Sequence, residues 1–71
     1  MKTFEISEKG YIELNKLLKV LNLVETGGEA NIRIDAGEVK VNGAVERQRR
    51  KKLRSGDVVL FKKENIQINK T

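Results

Sequence analysis

Seventy-one residues leave room for one small domain, and the absence of cysteine and histidine removes the disulfides and zinc sites on which small scaffolds lean. A hydrophobic share of 38% is enough for a core of Leu, Ile and Val helped by Phe4, Tyr11 and Phe61, which argues against wholesale disorder. Fifteen basic against ten acidic residues give a net charge of +5, and no run approaches the roughly 20 apolar residues of a membrane span. The first eight residues contain no apolar stretch of the secretory kind, so a cytoplasmic location is expected; a monomer is the expected state.

Residues 3–6 alternate, with Phe4 and Ile6 on one side and Thr3 and Glu5 on the other, the pattern of a half-buried strand ended by Ser7 or by residues 8–10. From about 11 to 23, Leu14, Leu17, Leu18 and Leu21 recur at i, i+3, i+4, i+7 and predict an amphipathic helix. Glu13 stands three residues before Lys16 as a mildly favourable pair. Residues 25–28 break that helix, and Thr26 suits the N-cap of the next. A shorter helix is predicted over 29–36, with Ala30 and Ile34 four apart and Gly37 to stop it. Ile32 lies off that stripe, so it is expected to touch a different neighbour or to widen the helix face. Two helices joined at Gly27 and Gly28 form an αα-hairpin.

Val39, Lys40 and Val41 alternate again, and Asn42-Gly43 is the strongest short-range hairpin signal because a type I′ turn needs φ > 0 twice. Residues 44–46 form the return strand, 55–57 a second turn, 58–61 a buried strand, 62–65 a further turn and 66–68 a last strand. The order β-α-α-β-β-β-β is that of an α+β domain, a two-helix hairpin packed on a small antiparallel sheet.

Between the strands lies a basic octapeptide. Six of the eight residues 47–54 are Lys or Arg: Arg47, Arg49, Arg50, Lys51, Lys52 and Arg54. Without them nine basic residues face ten acidic ones, so the positive charge of the chain is one local patch. Leu53 has Arg49 and Arg50 where a helix would need apolar companions, so an extended loop is expected, with Leu53 inward and Arg50, Lys52 and Arg54 outward. A solvated loop that aids solubility and a targeting signal both match the composition. Six repelling charges favour a strip that binds phosphates. Tyr11 heads the first helix and Phe4 and Phe61 fall in core-like strands. No aromatic is therefore placed for base stacking, and recognition by backbone and shape fits better.

Leu14-x-x-Leu17-Leu18-Lys19, then Thr26-Gly27-Gly28-Glu29-Ala30, a helix ending at Gly37, Val39-Lys40-Val41-Asn42-Gly43, the basic stretch and Ser55-Gly56-Asp57-Val58-Val59 form an ordered set. Over about residues 11–61 this set resembles the RNA-binding domain named after ribosomal small-subunit protein S-four, in its stand-alone YbcJ-like bacterial subfamily. The resemblance implies an alpha-L motif in which RNA lies against the helical pair and the turn into the sheet. It puts Lys19, Thr26, Gly27, Gly28 and Arg33 on the helical side and Lys40, Asn42, Arg49, Arg50 and Lys52 on the sheet side. Larger relatives open the first helix with Arg-Leu-Asp and the second with Ser-Arg. Here Ile12-Glu13-Leu14 and Gly27-Gly28 stand in those places, and the octapeptide is a candidate replacement for the lost arginines.

No catalytic constellation is visible without His or Cys, no Walker-type loop follows Gly27-Gly28, and capping explains Asp35 and Asp57. The expected protein is a single RNA-binding domain over 1–71 without enzymatic activity, metal, cofactor or small-molecule substrate. Its partner is a structured RNA, with ribosomal RNA as a candidate. A small adaptor for an acidic protein surface is the alternative.

Overall fold

The Leu stripe forms a helix shorter than its periodicity predicts. In a computed structural model that describes residues 2–7 and 10–70, α1 is Leu14–Val20, with Leu14, Leu17 and Leu18 buried. Upstream, Ile12–Glu13 is extended as β2 and pairs antiparallel with β5, Lys52–Leu53. Downstream, Asn22 adopts φ 59, the Asn22 N–H donates to the Lys19 carbonyl (3.0 Å) and the Leu23 N–H to that of Leu18 (3.0 Å). This Schellman closure ends the helix before Leu21, Asn tolerating the left-handed position better than most residues.

The second helix, α2, is Gly27–Asp35 and starts two residues earlier than expected. Gly27 and Gly28 thus lie in its first turn and do not form the connection, which runs over 21–26. Thr26 is the N-cap, its Oγ1 accepting the Glu29 N–H at 3.0 Å, while Glu29 Oε1 accepts the Glu25 N–H at 3.0 Å. At the other end Gly37, at φ 79, closes a second Schellman motif through Glu38 N–H to Arg33 carbonyl (3.2 Å). Ala30 and Ile34 are buried as expected, but Ile32 is 67% exposed. Two residues along a helix is about half a turn, so Ile32 points away from the core that Ala30 and Ile34 enter.

Val39–Val41 (β3), Ala44–Val45 (β4), Val58–Phe61 (β6) and Glu64–Lys70 (β7) follow the expected strands, the last longer at both ends. With β1, Lys2–Ile6, they make a five-stranded sheet of order β1-β7-β6-β3-β4. All its pairs are antiparallel except β1 with β7, which run parallel, Lys2 opposite Ile66 and Ile6 opposite Lys70. The sheet is thus mixed. Alternation reveals a strand's buried face, not its partner or direction, so the parallel edge was not legible. Residues 8 and 9, one expected end of the first strand, lie outside the described residues. One face of the sheet (Ile6, Val39, Val41, Val59, Phe61, Ile66, Ile68) shares a single core with the helices, Val24 and Leu53.

Candidate nucleic-acid interface

The basic segment is fastened by its backbone. Glu13, the N-cap of α1, makes no side-chain cap. The free N–H groups of the first turn donate elsewhere: Leu14 to the Lys51 carbonyl at 2.9 Å and Asn15 to the Arg49 carbonyl at 3.0 Å. The loop carbonyls do the work of a capping side chain. Leu53, fully buried, anchors the far end in the core, while Arg50, Lys52 and Arg54 are exposed, as the parity argument expects. Backbone hydrogen bonds and one leucine thus fasten the loop at both ends.

One cleft, of about 230 Å³, gathers residues from three segments: Glu13, Asn15, Lys16 and Lys19 from the start and face of α1, Gly27 from α2, and Arg50 from the loop. Lys19, Gly27 and Arg50 are brought together from among the expected site residues. Asn15 and Lys16 were not singled out, although Lys16, three residues before Lys19, shares its helical face. Asn15 Nδ2 donates to Asn31 Oδ1 at 3.1 Å and ties the two helices beside the cleft. Lys16 Nζ is 3.5 Å from Glu13 Oε1. A Cβ built on Gly27 would meet nothing within 4 Å, so the first turn of α2 is open to an approaching group. Its N–H groups there and the helix dipole favour an anion.

The other expected residues are placed differently. Thr26 is occupied as the α2 cap. Arg33 is held by carboxylates on both sides, 3.6 Å from Glu29 Oε2 and 3.3 Å from Glu38 Oε2. Arg49 forms a two-pronged pair with Asp35, Nε donating to Oδ1 at 3.0 Å and a terminal nitrogen to Oδ2. Asp35 therefore serves this ion pair, not the helix end that the sequence suggested. Asn42 is engaged by its side chain: Oδ1 accepts the Val58 N–H at 2.9 Å and Nδ2 donates to Asp57 Oδ1 at 3.0 Å. Asp57 Oδ2 accepts the Arg54 N–H at 2.8 Å, so one Asn–Asp clip joins the β3–β4 turn to the start of β6. Lys40 is exposed on β3, opposite Val45 and Leu60. The Arg47 guanidinium lies against Gly37, where an added Cβ would stand 2.8 Å from it. Gly28 follows Gly27 in α2, and Lys51 is half-buried.

Tyr11 does not head a helix. It precedes β2, half-buried, with Lys52 Nζ 4.9 Å and the Arg54 guanidinium carbon 5.7 Å from its ring centroid.

The ion pairs also set the titration of their members. The hydrogen bond from Arg49 holds the Asp35 carboxyl below its ordinary value, and the same bond raises the Arg49 guanidinium further. The Glu25 N–H is the main cause that holds Glu29 low; partial desolvation opposes it, and Arg33 and Lys62 add to the lowering. Among the described residues no group of three acidic side chains is disposed to hold a metal, and no helix is long and apolar enough to cross a membrane.

A helical pair on a small mixed sheet, with a basic loop capping the first helix, defines an α+β domain of the alpha-L kind. The chain belongs to the S4 domain family, whose sequence pattern matches residues 4–69, from within β1 to within β7. It is 40% identical over 68 residues to the putative RNA-binding protein YbcJ of Escherichia coli (strain K12), covering 96% of this chain and 97% of that protein. The same figures hold for the uncharacterized protein YbcJ of Shigella flexneri. The solution structure of YbcJ from E. coli, described as an alpha-L motif involved in RNA-binding, superposes with a TM-score of 0.73 at 39% identity over 97% of this chain and 87% of that one.

Proposed function

We propose that residues 1–71 form one RNA-binding domain without enzymatic activity, which holds structured RNA by its phosphate backbone, with ribosomal RNA as the first candidate. The observation that carries this reading is the cleft where Lys19 and Arg50 stand beside the open first turn of α2 at Gly27. Two cations on separate segments and a helix N-terminus form a surface for phosphate oxygens. The name of the E. coli relative and the description of its structure support RNA as the anion. The chemistry of the cleft supports a binding role: its side chains are Lys, Arg, Asn and Glu, the chain has no His or Cys, and Asp35 and Asp57 are engaged in structural bonds.

The geometry ranks the cations. Arg49 is tied to Asp35 and Arg33 to two glutamates, so both are weaker candidates than Lys19 and Arg50. Gel-shift titration of a folded RNA hairpin against a Lys19→Glu, Arg50→Glu double variant tests this. Affinity is expected to fall at least about tenfold at low salt, and the slope of log affinity against log salt to flatten by roughly two units. Arg49→Ala is expected to have the smaller effect. Wild-type RNA affinity in a folded double variant would sink the reading.

A further inference from the structure

A second cleft, of about 220 Å³, shares no residue with the first. It is lined by Phe4, Glu5, Ile6, Ser7, Tyr11 and Ile12. Two of the chain's three aromatic rings stand here, whereas the third, Phe61, is 1% exposed in the core. Ile12 pairs with Leu53, which brings the loop strand β5 alongside. Residues of like parity in that strand share one side, so Lys52 and Arg54 emerge together while Leu53 enters the core, and both cations lie over the Tyr11 ring.

The combination is selective. An apolar cleft with aromatic lining suits a flat heterocycle, and the cations at its rim suit the phosphates on either side of one. Glu5 borders the cleft from within β1, its side chain on the opposite face of the strand from those of Phe4 and Ile6. The cleft therefore suits a base and its rim the adjoining phosphates, whereas the first cleft offers groups for phosphate alone.

We propose that the Phe4–Tyr11 cleft receives one unpaired base of the bound RNA, its flanking phosphates taken by Lys52 and Arg54, with a purine favoured over uracil by its stronger stacking. The base takes the place of the two cations against the Tyr11 ring, and weak cation–ring contacts are exchanged for stacking and for charged hydrogen bonds to phosphate. This inference rests on the RNA-binding reading above and adds to it that a paired stem alone is an incomplete ligand.

Tyr11 is the single tyrosine and the chain has no tryptophan, so its fluorescence reports on this site alone. The test titrates the full chain with three RNA hairpins: one with a fully paired stem, one with a single bulged adenine and one with a bulged uracil. The adenine bulge is expected to quench Tyr11 emission and bind about tenfold or more tighter than the paired stem, with uracil between them. Tyr11→Leu should abolish that difference while still binding the paired hairpin, and Tyr11→Phe should retain it. Equal affinity for all three hairpins with unmoved emission overturns the base cleft and leaves the phosphate reading standing. Failure of every hairpin to bind overturns both.

Discussion

Two tight turns of this molecule have one geometry and opposite chemistry. Asn42-Gly43 joins β3 to β4 with φ of 52 and 86, and Lys62-Lys63 joins β6 to β7 with φ of 50 and 65. Both are two-residue loops with both central residues left-handed, the requirement of a type I′ hairpin. The first uses the residues that tolerate this conformation, and the Asn42 side chain adds two hydrogen bonds to its surroundings. The second puts two long cationic side chains where a Cβ crowds the backbone, at a cost of about 1–2 kcal/mol for each. Part of that is offset: Lys62 Nζ lies 5.2 Å from the Phe61 ring centroid, and its charge acts on Glu29 at the start of α2. The difference teaches that strand pairing can impose a turn its residues resist. At Lys62-Lys63 the antiparallel β6–β7 register, Phe61 opposite Glu64 and Val59 opposite Ile66, decides the loop length.

Breaking the favourable turn should have the largest effect. Asn42→Ala leaves the Val58 N–H and Asp57 Oδ1 without their Asn42 partner and places a Cβ-bearing residue of no special tolerance at φ 52. A loss of about 2–3 kcal/mol in urea unfolding is expected. A loss below about 1 kcal/mol would show the Asn–Asp clip to be incidental. Relieving the unfavourable turn should act in the opposite direction. Lys62→Asn with Lys63→Gly gives it the chemistry of the first turn, and a gain of about 1–2 kcal/mol is expected after the contacts of Lys62 are subtracted. No gain in the same urea experiment would contradict the strain argument.

The contrast also marks how far the sequence could be read. Asn42-Gly43 names its own conformation, and the structure agrees with the hairpin it predicts. Lys62-Lys63 suggested a turn but not its type, because nothing in two lysines implies φ > 0; only the pairing of Val58–Phe61 with Glu64–Lys70 imposes it. The same divide runs through the candidate site. Leu14, Leu17, Leu18, Ala30 and Ile34 announced the helical faces, and Leu53 announced which residue of the basic loop turns inward. Long-range bonds were silent: the capping of α1 by the loop carbonyls, the Arg49–Asp35 pair and the approach of Lys52 and Arg54 to Tyr11. Those bonds divide the six loop cations into occupied and available ones, a distinction that composition does not hold.

The smallest expected effect links the strained turn to the helix it faces. Glu29 and Asp35 both titrate below their ordinary values in the folded chain, so each contributes stability that is present above its unfolded pKa and lost as pH falls through the lower folded one. Thermal stability should accordingly be flat above about pH 5 and decline below about pH 4. Lys62 is one of the charges that hold Glu29 low, after the Glu25 N–H and Arg33. Replacing the turn by Asn-Gly removes that charge, so the Glu29 carboxyl should titrate at slightly higher pH and its share of the acid decline should begin earlier. Asp35, whose partner is Arg49, should titrate unchanged and serves as the internal reference. Side-chain carboxyl NMR across a pH series resolves the two. A Glu29 titration identical in wild type and turn variant would mean that Lys62 does not act on α2, and the strained turn would then have no offset but its contact with Phe61.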